Sequence, residues 1–487
     1  MQVTVQDILN ATKGRLLNGS ADTIINGFFT NSREIDSLPF KNALFVPIIG
    51  ERVDAHNFIP QVVEAGAEAF FIKKGHELPS GIGGTAAIEV EDTEAALLDT
   101  GLWYRQKFNI PFIGITGSVG KTTTKEMVAA ALSSINVHKT KGNANSTIGL
   151  PLTLFGLEDE NEAAIIEMGI SEFHEMEKLV EAGRPNLAIF TNVGSAHIGN
   201  LGSKENILKE KLHITDCFTE DSVLFINADD ELLMKVATEN SEFRPENVKH
   251  IVTFGINEKA DFYASSIKIS DSGTDFVANY KSESGKAVSE QIHLKTLGLH
   301  NVRNALAAIA VALKLGISPA VSKKGLAEYE PLSGRGNIIK SNGLTIIDDT
   351  YNASPDSMKA SVQIIGEMRG GTNPINRRFV VFADVLELGE YAETEHYKVG
   401  EYIKTYNKEN IENKIDYLIT VGKDSEQILL GVNSENLETN PVTRHFSTNV
   451  EAYDYLKSLL KKGDAIVVKG SRGMHTEEIV NALLNSE

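Results

Sequence analysis

Thr116-Gly117-Ser118-Val119-Gly120-Lys121-Thr122-Thr123 sets glycines, a lysine and a run of hydroxyls between two apolar segments. Upstream is the stretch Pro111 to Ile115; downstream, Met127, Val128, Ala131 and Leu132 share one helical face. Strand, loop and helix in that order suit phosphate binding. Glycines let backbone N–H groups close on phosphate oxygens, and a helix start adds roughly half a positive charge. Lys121 supplies a full charge for the outer phosphates, and Thr122 a hydroxyl for Mg²⁺. The strict loop pattern wants glycine where Ile115 stands, and Gly114 comes one place early. A ligand-free glycine turn is the alternative; the flanking strand and helix favour a nucleotide.

Other chemistry-bearing residues fall at strand ends. Ala163-Ala164-Ile165-Ile166 delivers Glu167, and Leu187-Ala188-Ile189-Phe190 delivers Thr191 and Asn192 with His197 just beyond. Open parallel sheets bind ligands outside the carboxyl ends of their strands. Singly, Glu167 or His197 would be a cap or a surface residue; jointly, beside a phosphate loop, they are expected to ligate Mg²⁺. Periodicity predicts a helix over 204–218, with Ile207, Ile214 and Phe218 on one face. Lys211 falls inside that arc, about 40° from Ile207, and Lys209 opposite. A buried ammonium must snorkel, pair or be modified, and snorkelling is the simplest. Burial also favours the neutral amine, the form that takes up CO₂ as a carbamate.

Around these groups the chain reads as an α/β protein. Its 487 residues suffice for about three domains. Residues 1–107 form a small α/β unit: a capping box at Thr4 to Asp7, strands at 43–48 and 69–72, a helix at 58–65, and a polar loop from Gly50 to Phe58. Residues 108–331 repeat strand and helix around the phosphate loop. Within them, 251–297 alternates as antiparallel strands, and His300-Asn301 opens an apolar helix, possible caps for it. Residues 332–487 give a second doubly wound pattern, with strands at 344–347, 379–382, 417–421 and 465–468. Asp348-Asp349-Thr350-Tyr351-Asn352 follows the first, and Lys469-Gly470-Ser471-Arg472 the last. Asn413-Lys414-Ile415-Asp416 fits a guanine-reading pattern but precedes its strand, far from the phosphate loop, and is set aside.

Composition is globular, 41% apolar and 23% charged. Net charge of −19 argues against nucleic acid or an anionic membrane as partner. The single cysteine, Cys217, excludes an internal disulfide and fits a reducing compartment. No apolar run is long enough to span a bilayer and no signal peptide is visible, so a cytoplasmic protein is expected.

Together these motifs resemble the Mur ligase family, the ATP-dependent amide-forming enzymes of peptidoglycan assembly. The phosphate loop, Glu167, Asn192-Val193 with His197, His300-Asn301-Val302-Arg303-Asn304 and Gly334-Arg335 recur in that family's order. Gly142-Asn143-Ala144-Asn145-Ser146, Asp348 to Ala353, Asp384 to Gly389 and Lys469 to Arg472 are similar to the branch that adds D-alanyl-D-alanine. The missing Asp-Asn-Pro-Arg motif disfavours the branch adding diaminopimelate or lysine.

The resemblance implies an N-terminal UDP-sugar domain, a central phosphate-loop domain and a C-terminal Rossmann-like domain on the amine-substrate side. It implies that Thr116, Gly117, Ser118, Gly120, Lys121, Thr122, Thr123, Asn304, Arg335, Asp349 and Asn352 contact ATP. Thr122, Glu167, His197 and a carbamylated Lys211 would hold Mg²⁺, with Lys121, Lys211 and His197 catalytic. Ser32, Arg33, the 50–56 loop, Asn143, Asn145 and Ser146 would meet UDP-MurNAc-tripeptide. Lys469 and Arg472 would meet the carboxylate of D-Ala-D-Ala, a structural role at the strand end being the alternative for both. Asn31 stands where the family has Asp, and Ala55 where it has Gly. A monomer working through an acyl phosphate is expected. The rivals are a folylpolyglutamate synthetase-like ligase and a non-catalytic ATP-binding subunit.

Overall fold

In the computed structural model, which describes residues 1–239, 241–270, 272–282, 284–368 and 375–485, the stretch after Pro111 forms the buried strand Phe112–Thr116. It lies inside a nine-stranded sheet, between Ala163–Glu167 and Leu187–Phe190, parallel to both. Continuous apolar runs suit strands covered on two faces. One cover is the helix Lys121–Ala131 with Leu299–Lys314 and Pro319–Glu328; the other includes Gly149–Leu154, Glu175–Gly183 and Lys204–Leu212. The chain runs out from Phe112–Thr116 to Val137–Lys139 and Ala163–Glu167, then crosses back to Leu187–Phe190 on the other side. That reversal opens a crevice at the carboxyl end of the phosphate-loop strand, where such sheets bind ligands.

The first domain carries a five-stranded sheet, ordered Arg15–Asn18, Ala86–Val90, Ala69–Lys73, Ala43–Phe45, Gly27–Phe29. One apolar cluster runs from Val5 and Leu44 through Leu97 to Leu150 and Leu179, so this domain and the middle one share a core. The third domain has a six-stranded sheet and encloses separate clusters on its two faces. Leu344–Asp348 and Ala465–Lys469 are parallel neighbours there, which brings the 348–352 and 469–472 segments to one end. Among the described residues no helix is long and apolar enough to cross a membrane.

Several elements differ from the sequence reading. The helix from 204 ends at Leu212 and tightens into a 3₁₀ turn, His213–Thr215. Thr215 Oγ1 donates to the Leu212 carbonyl at 2.8 Å and His213 pairs with Asp216, local bonds that compete with a continuing helix. His250–Gly255 pairs parallel on both sides; antiparallel pairing begins only between Phe262–Ser270 and Gly273–Lys281. The strand from Ala43 stops at Phe45, shortly before Pro47, which has no N–H to give a ladder. Gly298 is the N-cap of the helix Leu299–Lys314, so His300 and Asn301 sit inside its first turn. Asn337–Ser341 and Val442–Phe446, edge strands with exposed polar residues, carry too little apolar pattern to read in advance.

Arg105 pins the joint between the first two domains. Its guanidinium donates to the carbonyls of Gly183, at 3.1 Å, and Arg184, closing the C-terminus of the helix Glu175–Gly183. It also stacks on the Phe112 ring, 3.8 Å from the centroid. Arg105→Ala is expected to lower stability by about 1.5–3 kcal/mol, read as a drop in denaturant midpoint at unchanged slope.

Candidate active site

The phosphate loop is shaped from behind by the neighbouring strand end. Gly117 has φ +143°, and a Cβ there would lie 1.9 Å from Thr191 Oγ1, so only glycine fits. Thr191 Oγ1 donates to the Val119 carbonyl at 2.7 Å, and the Val119 amide donates to Asn192 Oδ1 at 2.9 Å. The loop is therefore fixed by protein contacts alone. Lys121 begins the helix and curls back to donate to the Gly117 carbonyl at 2.7 Å. Burial lowers its pKa; nearby Glu167 opposes that and Arg335 adds to it. Thr122 is buried at the helix start, Thr123 and Ser118 are half-buried, and Thr116 Oγ1 is buried without a hydrogen-bond partner. Asn304 Oδ1 lies 3.3 Å from where a Cβ on Gly120 would stand, which puts Asn304 over the loop.

Beside the loop, buried groups are left incomplete. Glu167 is 1% exposed; its Oε1 accepts from Asn145 Nδ2 at 2.8 Å, while Oε2 has no hydrogen-bond partner. Lys211 is 1% exposed and its ammonium nitrogen has no hydrogen-bond partner. Snorkelling, the simplest expectation, is closed to it, since no part of the side chain reaches water. Burial drives its pKa well below the lysine range, and the Lys121 charge adds to that. His197 has a left-handed backbone, φ 62°, and its pKa falls to about 4 through burial and then the charges of Lys211 and Lys121. Lys121 is the charge common to these shifts. Orphaned donors and acceptors of this kind are what a cation, a nucleotide or a carbamate would satisfy.

The third domain reaches the same place. The amides of residues 193, 194 and 195 donate in turn to Asp230, to Ser118 Oγ and to Asp356, at 2.7, 2.8 and 3.1 Å. Asp356 comes from the first turn of the helix Pro355–Glu367, in the third domain. A Cβ on Gly194 would lie 2.4 Å from its Oδ2, so glycine is what permits the approach. Glu387 Oε2 lies 3.3 Å from His197 Nδ1, and Tyr391 reaches the Gly202 carbonyl. Arg335 stacks on Tyr351 at 3.9 Å, with Arg472 over the same ring at 6.0 Å.

Lys469 does not point into open space. Its ammonium donates to Asp349 Oδ2 at 2.7 Å and to the Asn352 carbonyl at 2.9 Å, with Ser361 Oγ on the same carboxylate. Those bonds favour the structural reading of Lys469. Arg472 is mostly exposed and pairs with Glu477 at 3.4 Å.

In the first domain, Ser32 and Arg33 follow Gly27–Phe29, and the 50–56 loop follows its parallel neighbour Ala43–Phe45, so both leave the same end of the sheet. Asn31 caps the segment by accepting the Arg33 amide at 3.2 Å, a bond that Asp would also make. Ala55 has no left-handed backbone, so glycine is not needed there. Asn143 and Ser146 are exposed, while Asn145 turns inward to Glu167.

One grouping of metal-ligand type, Asp54, His56 and His76, lies elsewhere, its ligand atoms within 4.8 Å of one another. His56 has no lone pair to offer: Nε2 accepts the Lys73 amide and Nδ1 faces Asp54. It is a structural cluster. Sequence reasoning missed Lys125, fully buried on the phosphate-loop helix, and Asp356. The helical-arc test that exposed Lys211 also finds Lys125, which shares a face with Val128 and Leu132. Asp356 gave no signal, because its partner lies in another domain.

Fold and site together define a phosphate-loop enzyme whose nucleotide crevice is capped by a second doubly wound domain. Residues 115–312 match the Mur ligase middle domain and 334–472 the Mur ligase glutamate ligase domain. A UDP-N-acetylmuramoyl-tripeptide–D-alanyl-D-alanine ligase of Bacillus subtilis is 36% identical over 99% of this chain and 98% of its own. The crystal structure of MurF from Acinetobacter baumannii superposes with a TM-score of 0.85 at 29% identity, covering 100% of this chain and 99% of that one. MurF from Thermotoga maritima, solved with ADP, gives 0.78 at 25% identity over 94% and 96% of the two chains. The chain belongs to the Mur ligase family.

Asp356→Ala is expected to weaken docking of the third domain by about 1.5–3 kcal/mol, the worth of a hydrogen bond to a charged group. Small-angle scattering should show a larger radius of gyration for this variant and for Gly194→Ala, and a matching fall in activity.

Proposed function

We propose that this chain is an ADP-forming ligase that adds D-alanyl-D-alanine to UDP-N-acetylmuramoyl-tripeptide, as a cytoplasmic monomer supplying peptidoglycan precursor. The observation that carries the reading is the pair of buried, incomplete groups, Lys211 Nζ and Glu167 Oε2, beside a phosphate loop and under the third domain. The full-length likeness to ligases of that name supports the substrate, and likeness to a MurF solved with ADP supports the nucleotide. A folylpolyglutamate-type ligase would need a pteridine site in place of the first domain, which the Bacillus match spans. Domain boundaries are placed at 107/108 and 331/332, between the sheets.

A carboxylate and an amine do not condense in water unaided, so the γ-phosphoryl group passes to the tripeptide carboxylate as an acyl phosphate. The amine of D-Ala-D-Ala attacks that carbonyl, and the tetrahedral intermediate collapses to amide and inorganic phosphate. Amides and hydroxyls of Thr116 to Thr123 cradle the phosphates. Lys121 exchanges its Gly117 carbonyl for a phosphate oxygen, and Asn304, Arg335, Asp349 and Asn352 hold the nucleotide. Thr122, Glu167, neutral His197 and a carbamate on Lys211 would hold Mg²⁺, which when bound neutralises developing charge on phosphate oxygens. A carbamate on Lys211 would add a second carboxylate-type ligand beside Glu167. Ser32, Arg33 and the 50–56 loop hold the UDP-sugar; Asn143, Asn145 and Ser146 face the peptide end, and Arg472 the dipeptide carboxylate. Closure through Asp356 keeps water from the acyl phosphate.

Incubation with ATP, Mg²⁺, UDP-MurNAc-tripeptide and D-Ala-D-Ala should give pentapeptide and phosphate in equal amounts. ATP binding without phosphate release would favour a non-catalytic subunit, and turnover only with a folate would favour the other ligase type. Lys211→Ala should lose at least about 100-fold in kcat, as removal of a transition-state charge contact does, with partial recovery in bicarbonate or short carboxylates. Because the amine's pKa is lowered, ¹³C-bicarbonate should label the wild type at neutral pH, and the label should fade as pH falls below that pKa. Lys211→Ala should take no label.

A further inference from the structure

Lys125 is fully buried, and the chemistry above gives it no task. Its ammonium donates to the Gly142 carbonyl at 3.0 Å and lies 3.3 Å from Glu126 Oε1 and 3.7 Å from Glu167 Oε2. Glu126 is itself tied to Lys139 through its other oxygen. A buried ammonium costs several kcal/mol unless paired and hydrogen-bonded, and this one is surrounded by acceptors. Those acceptors belong to different parts of the site. Gly142 begins the Gly142–Ser146 segment on the substrate side; Glu167 ends a strand on the metal side. The same segment returns to Glu167 through Asn145 Nδ2, and Thr140 Oγ1 accepts the Glu167 amide at 3.0 Å. Carbonyl, lysine, carboxylate and asparagine thus close a ring.

We propose that Lys125 is a positioning residue that fixes the 142–146 segment relative to Glu167, so that the acceptor's carboxylate and the phosphate-side ligands arrive in register. An apolar side chain of that volume would fill the space equally well; what it cannot do is grip a carbonyl of the substrate segment and the Glu167 carboxylate at once. This rests on Glu167 acting at the phosphate-metal site. On that reading ATP is held by the loop amides and Lys121, whereas the hydrogen bond of Lys125 goes to the Gly142 carbonyl of the substrate segment, so loss of Lys125 should be felt by the acceptor first.

The test is steady-state kinetics of Lys125→Met and Lys125→Arg, with thermal melting as a check on folding. Lys125→Met should raise KM for the UDP-linked acceptor about 10-fold and lower kcat by about 10–100-fold, the usual cost of losing a group that orients a ligand. KM for ATP should stay within about 2-fold, and Lys125→Arg should recover part of the acceptor effect because the charge remains. Equal shifts in both KM values, or no shift in either, would overturn the proposal. Should Lys125→Met fail to fold, the Arg variant is read by the same split, a raised acceptor KM supporting the proposal and equal or absent shifts overturning it. Glu167→Gln separates the two readings: if it is inactive while Lys125→Met behaves as wild type, this inference alone fails; if Glu167→Gln is fully active, the reading of Glu167 fails.

Discussion

The structure depends on polar groups held out of water with hydrogen-bonding capacity left unmet. Lys211 Nζ and Glu167 Oε2 are buried and lack hydrogen-bond partners, a state that costs each group kilocalories in a sealed interior. Strand ends force that arrangement. Glu167 ends a buried strand, and Lys211 rides a short helix on the face that commits Ile207 and Leu208 to the core. Neither can turn outward without dismantling the sheet. The deficit is local and lies beside the phosphate-loop amides, so the proposed ligands would relieve it. Lys125 fits the same logic, since it balances the carboxylates without filling the orphaned oxygen.

A second constraint is how the domains are joined. The first and middle domains share an apolar cluster and the Arg105 anchor, so they act as one platform. The third domain has its own core, joined by Leu297, Ile198 and Ile269 of the platform, and also meets the platform through polar contacts, Asp356 on the Ser195 amide and Glu387 on His197. Polar contacts of this kind part at lower cost than a shared core. A ligase that must admit large substrates and then exclude water needs that division. On the proposed reading the platform would carry the phosphate and metal ligands, and the third domain Arg335 and the dipeptide side.

Much of this was legible in the sequence, for physical reasons. Buried parallel strands announce themselves as unbroken apolar runs, so Phe112–Thr116, Ala163–Glu167 and Leu187–Phe190 could be read together with the polar residues at their ends. Helical periodicity placed Lys211 inside the core, although it could not say whether the amine found a partner. Edge strands such as Val442–Phe446 stayed hidden because solvent on one side removes the pattern. The end of the helix at Leu212 stayed hidden because hydroxyl and histidine side chains took over its last bonds. Contacts across domains, Asp356 on Ser195 above all, leave no local trace. Lys125 left one, its place on an apolar helical face.

The central claim is that the orphaned buried groups form one receiving site for a metal nucleotide. Anomalous diffraction from crystals grown with Mn²⁺, a non-hydrolysable ATP analogue and bicarbonate tests it most directly. The account predicts a manganese peak bridging Glu167, His197 and a carbamate on Lys211, beside phosphates cradled by 117–122. A peak placed elsewhere, with Lys211 a bare amine and Glu167 unligated, would contradict it.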